Sequence, residues 1–266
     1  MADTGYVYLT GAGPGDPKLI TVRGLETIRL AQVLIYDRLV AEELLREAAP
    51  DAELLYVGKA SGHHTLPQEE INELIASRAA RGLTVTRLKG GDPFVYGRGG
   101  EEAVYLADRG IPFEVVPGIS SCIAAPAYAG IPVTHRRMAA SFAVITGHEC
   151  AGKSGASVDW TWAAGAETLV VLMGLQQLHS ITERLLASGK PPGTPVALIQ
   201  SGTKSGAQRV VTGRLDRIAE LPETSELSSP VTIVIGPVVA MRERIAWLAG
   251  DEPLAAVPEA ALLAAD

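Results

Sequence analysis

"RLKGGDPFVYGRGGEE", Arg87 to Glu102, carries five glycines, one proline and, at its centre, Asp92. It grows out of "LTVTRL", whose β-branched, apolar character predicts a buried strand, and it leads into "EEAVYLADRG", which has helical spacing. Glycine lets a main chain turn tightly or lie against a ligand without a Cβ in the way. The stretch therefore predicts a strand, a bare loop and a helix, in that order.

The same order repeats on both sides. Upstream, "YVYLTGAG" reads as a strand entering a glycine turn and "KLITVRGLETIRLA" as a helix. "QVLIYD" follows as a strand, "VAEELLREAA" as a helix and "ELLYVGK" as a strand. "TLPQEEINELIASRAARG" opens with Thr65 and Gln68 in capping-box spacing, has Pro67 in its first turn and stops at Gly82. Its apolar face is Ile71, Leu74 and Ile75. Downstream, "FEVVPG" is a strand. Alternating strands and helices imply right-handed crossovers and a doubly wound parallel sheet.

A joint is expected near Ile131 to Ser141, after which the pattern restarts. "SFAVITG" and "TLVVLMG" read as strands separated by a Gly/Ser/Ala-rich loop at Glu149 to Ser157. The helix "LQQLHSITERLLASG", strands "PVALIQSG" and "QRVVTG", helix "RLDRIAEL" and strand "PVTIVIGPVV" complete it. The fold class predicted is α/β, with two α/β domains: a parallel doubly wound N-terminal sheet over 1–135 and a mixed sheet over 136–250. Residues 251–266 read as a frayed tail. A cleft between two such domains is a common place for a ligand.

The chain has 266 residues, 47% of them hydrophobic, and a formal net charge of -7. An acidic chain disfavours a nucleic-acid partner, whose binding is driven by basic surface. Two cysteines, Cys122 and Cys150, suit a reducing compartment. The N-terminus has no signal-peptide pattern, and no apolar run approaches the ~20 residues of a membrane span. A soluble cytoplasmic protein is expected.

"GAGPGDP", Gly11 to Pro17, follows the first strand. A dinucleotide fingerprint would be G-x-G-x-x-G with an acid about 20 residues on, and Asp37 lies near that distance. The spacing here is G-x-G-x-G, however, and Asp16 stands where the last glycine would be. Pro14 removes a backbone N–H that a diphosphate would need, and Asp16 would repel it. A nicotinamide oxidoreductase is the weaker reading.

"VYLTGAGPGDPKLITVRG", "VLIYDRLV", "YVGKASGHHTLPQEEIN", "RLKGGDPFVYGRGGEE", "VVPGISSCIAAPAYAGIPVTHR" and "LMG" occur in this order. Together they resemble the uroporphyrinogen-III C-methyltransferases, within the tetrapyrrole-type S-adenosylmethionine methyltransferases. The resemblance runs from about Val7 to Val239. It implies two α/β domains around a cleft, a homodimer, and transfer of two methyl groups to carbons 2 and 7 of uroporphyrinogen III. The product is precorrin-2, which feeds sirohaem and cobalamin. S-adenosyl-L-methionine would be the donor, released as S-adenosyl-L-homocysteine. Some members carry a fused sirohaem-forming module, and this chain reads as the stand-alone form.

The resemblance also implies roles. Asp37 maps onto the proton acceptor and Lys59 onto the proton donor. Pro14, Gly90, Gly91, Asp92, Val95, Ser120, Ser121, Met173 and Gly202 map onto cofactor contacts. Ser120 and Ser121 stand where the family often has Thr followed by Ala or Ser. Ala60 stands where a basic residue often follows the lysine. A sulfonium donor carries no phosphate, so Pro14 and Asp16 do not oppose it. A macrocycle that gains a methyl must lose and regain protons, which calls for a base within hydrogen-bond reach. Asp37 ends a predicted parallel strand, where open α/β sheets place ligands.

A substrate with eight carboxylates needs local cations. Arg38, Lys59, Arg98, Arg136 and Arg137 are candidates by position, and arginine suits carboxylates through its bidentate fork. "GHEC" at Gly147 to Cys150 and the pair His63–His64 lack the spacing of a closed metal site. No metal is expected. A methyltransferase acting on a later precorrin is the alternative within the class.

Overall fold

The chain from Val22 to Leu30 forms helix α1 only after a delay that the sequence pattern conceals. Asp16 caps a short 3-10 turn at Pro17–Leu19 by accepting from Lys18 N, and Ile20 stays extended. Thr21 then accepts from Gly24 N and starts the helix. The predicted single helix from Lys18 is thus two elements, because two capping side chains compete for it. The computed structural model describes residues 4–58, 66–148 and 158–248.

The chain divides into two compact units, Met1–Ala125 and Pro126–Asp266. In the first, β1 is Tyr6–Gly11, β2 Val33–Tyr36, β3 Glu53–Tyr56, β4 Thr84–Lys89 and β5 Phe113–Val116. All their pairings are parallel, in the order β3-β2-β4-β1-β5. Helix α2, predicted over Val40–Ala49, is a single turn at Glu42–Leu45. Helix α3 is Gln68–Ala80, α4 Gly99–Ala107 and α5 Ser121–Tyr128.

Side chains alternate across the sheet as the pleat requires. Val7, Leu9, Val33, Ile35 and Val85 pack with Ile71, Ile75 and Ala76 of α3 and Leu106 of α4. Leu34 and Leu88 point the other way, onto Ile28 of α1, Ala31 just past its end and Leu44 of α2. So α1 and α2 cover one face and α3 and α4 the other. Connections leave β1 and β4 in opposite directions, and these two strands are neighbours. The gap between their carboxyl ends is the switch point at which open α/β sheets bind ligands.

In α3 the N-cap is Pro67, with no side-chain cap. Sequence spacing puts Pro67 inside the first turn and Gln68 in a capping box, but Gln68 Nε2 reaches Asn72 and Glu102 instead. Thr65 lies outside the described residues. Gly82 ends the helix at φ +82° as expected, a left-handed position that favours glycine. Helix α5 is absent from the sequence-based expectation. Pro126 inside it and an apolar run without a polar face hide the signal.

The second unit is built on β6 Phe142–Thr146, β7 Thr168–Leu172, β8 Pro195–Gln200, β9 Arg209–Arg214 and β10 Val231–Ile235. Their order is β6-β7-β10-β8-β9. β6 pairs parallel to β7 and the remaining pairs are antiparallel, which gives the mixed sheet expected. Helices α6, Trp160–Gly165, and α7, Leu178–Ala187, flank it. Leu169, Val171, Ile181, Leu185, Leu198 and Ile233 anchor a core on one face of the sheet. "RLDRIAEL" forms only a 3-10 turn at Ile218–Glu220, followed by the one-turn helix α8 at Pro222–Ser225. Pro222 fixes φ for a new helix start and interrupts the old one. A last turn, α9, is Arg242–Ile245. Among the described residues no helix is long and apolar enough to cross a membrane.

Candidate active site

Two glycine loops meet at the switch point. Gly13 N donates to Gly91 O at 3.2 Å, and Gly91 N donates to Gly13 O at 2.7 Å. This small antiparallel bridge ties the "GAGPGDP" turn to the "GGDPF" turn. A third loop joins them. A Cβ on Gly118 would sit 2.3 Å from Gly91 O and 2.7 Å from Gly11 Cα. Three backbones therefore approach at distances only glycine permits.

Gly91 itself has φ +71°. A Cβ there would find only Ser120 Cα, 3.9 Å away, so that side of the loop is open space. Gly90 differs, since its Cβ would lie 2.5 Å from Leu39 Cβ. Gly90 thereby seats the loop against the turn that carries Asp37.

Asp92 uses both oxygens within the protein. Oδ1 accepts from Phe94 N at 2.8 Å and Oδ2 from Gly118 N at 3.0 Å. Both hydrogen bonds hold the loop, one to its own next turn and one to Gly118. The rest of the stretch folds around Pro93, whose carbonyl accepts from Gly99 N at 2.9 Å. A Cβ on Gly97 or Gly99 would come within 2.8 Å or 2.4 Å of that same oxygen. Tyr96 and Arg98 are held at φ +53° and +59°, conformations that non-glycine residues rarely adopt.

Asp37 follows β2 directly. Its Oδ1 accepts from Leu39 N at 3.0 Å, and its Oδ2 lies 3.6 Å from Arg87 Nη2. Arg87 is 4% exposed, Lys89 3% and Glu102 1%. Glu102 Oε1 takes Lys89 Nζ at 2.8 Å, Arg87 Nε at 3.2 Å and Gln68 Nε2 at 3.2 Å. Arg87 Nη1 also donates to Leu88 O at 3.0 Å. Glu102 Oε2 is buried and has no hydrogen-bond partner among the described residues. Burial and the neighbouring Arg87 push the Lys89 ammonium below its ordinary range, with Glu102 and Asp37 acting against them.

Sequence reasoning overlooked this buried cluster. The signal was present: Arg87 and Lys89 alternate on one face of β4, and Glu102 shares the spacing of the buried Gly99, Ala103 and Leu106 of α4. Lys59, the other expected proton carrier, lies outside the described residues, as do His63, His64, Glu149 and Cys150.

The remaining expected residues fall in place unit by unit. In the first, Pro14, Gly90, Gly91, Asp92 and Val95 share the paired loops. Ser120 is buried just before α5, where its carbonyl accepts from Ile123 N and Ala124 N, and Ser121 opens the helix. Arg38 is exposed beside Asp37. Arg98 is exposed and held bidentately by Glu101 at 2.9 and 2.6 Å. In the second unit, Met173 stands at φ +57° after β7, half exposed. Gly202 lies between Ser201 and Thr203, both also left-handed, after β8. These two turns occupy the same edge of the second sheet. Gln208 fixes the second turn, accepting from Thr203 N at 2.9 Å and donating to Tyr128 O at 3.1 Å. Arg136 and Arg137 are exposed in the tight loop closed by His135 and Ala139. Among the described residues no group of three or more His, Cys, Asp and Glu side chains could hold a metal ion.

A parallel sheet whose glycine loops join at the strand-order switch defines an α/β protein with a small-molecule site built largely from main chain. Residues 6–219 match the family model of the tetrapyrrole (corrin/porphyrin) methylases, and the chain belongs to that family of methyltransferases. It is 48% identical over 252 residues to a siroheme synthase 2 of Serratia proteamaculans, covering 94% of this chain and 53% of that one. It thus spans about half the length of the curated relatives it matches. The uroporphyrin III C-methyl transferase of Thermus thermophilus superposes with a TM-score of 0.76 at 40% identity, over 89% of this chain and 99% of the other. The complex of the Thermus thermophilus enzyme with S-adenyl homocysteine gives a TM-score of 0.75 at 40% identity, over 88% and 93%.

Proposed function

We propose that the chain transfers two methyl groups from S-adenosylmethionine to carbons 2 and 7 of uroporphyrinogen III, giving precorrin-2. The observation that carries this reading is the Gly13–Gly91 bridge with its open side at Gly91. A Cβ would project into that space, so the loop can take a ligand against its backbone. Asp16 and Asp92 are spent on caps and loop contacts and Pro14 offers no N–H, which suits a donor without phosphate. The names of the relatives support the same chemistry.

When bound, S-adenosylmethionine supplies a methyl group on a sulfonium cation, so transfer leaves a neutral thioether and puts positive charge on the tetrapyrrole. The charge is discharged as a proton, and Asp37 is the residue that takes it. The Leu39 N–H and the Arg87 guanidinium orient its two oxygens. Gly90, Gly91 and Val95 let the loop lie close to the donor, while Asp92 keeps that loop joined to Gly118. Met173, Gly202, Ser120 and Ser121 complete the donor contacts in this reading, and Lys59 returns a proton. Arg38, Arg98, Arg136 and Arg137 meet substrate carboxylates. The enzyme works as a homodimer, which light scattering checks.

The test is an anaerobic assay with S-adenosylmethionine and freshly generated uroporphyrinogen III, followed by tetrapyrrole mass. A gain of two methyl groups is expected. Donor binding without any transfer to uroporphyrinogen III, but with transfer to precorrin-2, would move the reaction to a later step.

A further inference from the structure

Arg87 is an unusual neighbour for a base because it is not free to follow it. Its Nε is held by Glu102 at 3.2 Å and its Nη1 by Leu88 O at 3.0 Å, with Ile35 O at 3.4 Å. Only Nη2 is left to face Asp37, at 3.6 Å. The guanidinium plane is therefore set by Glu102 and by two main-chain carbonyls near the strand ends. Glu102 is in turn fixed by Lys89 from β4 and Gln68 from α3.

We propose that Glu102 is a positioning residue for the methyl-transfer chemistry. Through Arg87 it fixes the orientation of the Asp37 carboxylate and the charge that faces it. The inference rests on the reading of Asp37 as the base. Glu102 itself is buried on α4 and acts through Arg87, so it is not a catalytic residue.

The charges support this role. Arg87 and Lys89 face Asp37 and Glu102, two cations against two anions. Arg38 beside Asp37 is exposed, the tilted rings of Tyr36 and Tyr56 pack together at the neighbouring strand ends, and Gln68, which donates to Glu102, is neutral. When Asp37 accepts a proton the cluster becomes cationic, which favours passing that proton on to solvent or product. Taking the charge from Glu102 leaves two cations facing one anion. Taking it from Lys89 leaves one cation facing two anions. The two changes act on Asp37 in opposite directions, and a purely structural role for Glu102 would not have this signature.

The experiment compares Glu102→Gln, Lys89→Met and the double variant with wild type in the methyl-transfer assay, with kcat and KM measured from pH 5 to 9. Binding of S-adenosylhomocysteine by calorimetry shows which variants are folded. In Glu102→Gln, kcat is expected to fall about tenfold or more, within the range a misaligned base can lose. S-adenosylhomocysteine affinity should stay within twofold. The acid limb of kcat/KM should move to lower pH in Glu102→Gln, to higher pH in Lys89→Met, and return toward wild type in the double variant. If Glu102→Gln fails to bind S-adenosylhomocysteine, the shift in Lys89→Met carries the test. Folded variants with an unmoved acid limb and kcat within twofold of wild type would overturn the inference. A wild-type protein that transfers no methyl would instead overturn the function on which it rests, and an active Asp37→Asn would overturn the base.

Discussion

Lys89 Nζ lies 2.8 Å from Glu102 Oε1, so two residues at the ends of one glycine-rich loop close on each other inside the protein. The loop between them is exposed in part, but its anchors are buried. Removing one partner of a buried ion pair leaves the other charge without compensation, a loss of about 3–5 kcal/mol. Glu102→Ala should lower stability by that amount. Urea unfolding followed by circular dichroism checks it, as a lower midpoint at an unchanged slope.

Gly91 and Gly118 separate ligand space from packing space. Gly118→Ala would drive a Cβ against Gly91 O at 2.3 Å, and backbone must move. Its cost should be in stability, about 1–3 kcal/mol. Gly91→Ala meets no atom closer than 3.9 Å and carries only the strain of φ +71°, about 1 kcal/mol. Its cost should instead be in donor affinity, at least about tenfold, or about 1.4 kcal/mol. Paired thermal melts and S-adenosylhomocysteine titrations distinguish the two. Equal donor affinity in Gly91→Ala and wild type would remove the loop from the donor site.

Asp92→Asn keeps the shape of the side chain but turns one acceptor into a donor. Either Phe94 N or Gly118 N then faces an N–H group. One lost hydrogen bond with a donor left unsatisfied costs about 1–3 kcal/mol. Donor affinity should weaken while Asp37 remains able to act, so KM for S-adenosylmethionine should rise more than kcat falls. Steady-state kinetics on the purified variant give the split.

Glu167 gives a pH dependence in the second unit. Its carboxylate accepts from Ala140 N, Ser141 N and the Ser141 hydroxyl, all at 2.8–2.9 Å. The Ser141 hydroxyl, the Ser141 N–H and the Ala140 N–H together hold its pKa below the ordinary 4.5, against a smaller effect of burial. The folded value is the lower one, so the stability contributed is complete above about pH 4.5 and is lost as pH falls through the folded value. Wild type should therefore exceed Glu167→Gln in stability at pH 7, and the gap should close below pH 4.5. Melting temperatures at pH 7 and pH 3.5 test this.

Much of this architecture is readable in the chain because strands and helices alternate with clear punctuation. "VLIY" before Asp37 and "TVTRLK" before Gly90 mark strand ends, and strand ends locate a site in a parallel sheet. Helix α5 is not readable, since Pro126 and an apolar run without polar spacing argue against any helix. Helix α6 has six residues, too short for a periodic signal. The Arg87–Glu102 contact is invisible for another reason. Strand β4 and helix α4 must dock before those charges face one another, and in the sequence each resembles an ordinary surface ion. The shared face of Arg87 and Lys89 was the available clue.

That clue has a consequence for how the chain finds its alignment. Arg87 and Lys89 lie on the side of β4 that faces α3 and α4, while Leu88 faces Ile28 of α1 and Ala31 at its end. Sliding β4 by one residue would exchange the sides. A guanidinium and an ammonium would then enter an oily layer with no carboxylate waiting, and Glu102 would be stranded opposite. The penalty is several kcal/mol for each stranded ion, and it falls only on the misaligned pairing. The cluster therefore works as a locating pin: a sheet held by hydrogen bonds alone could slide along its neighbours, and this one is keyed to a single position.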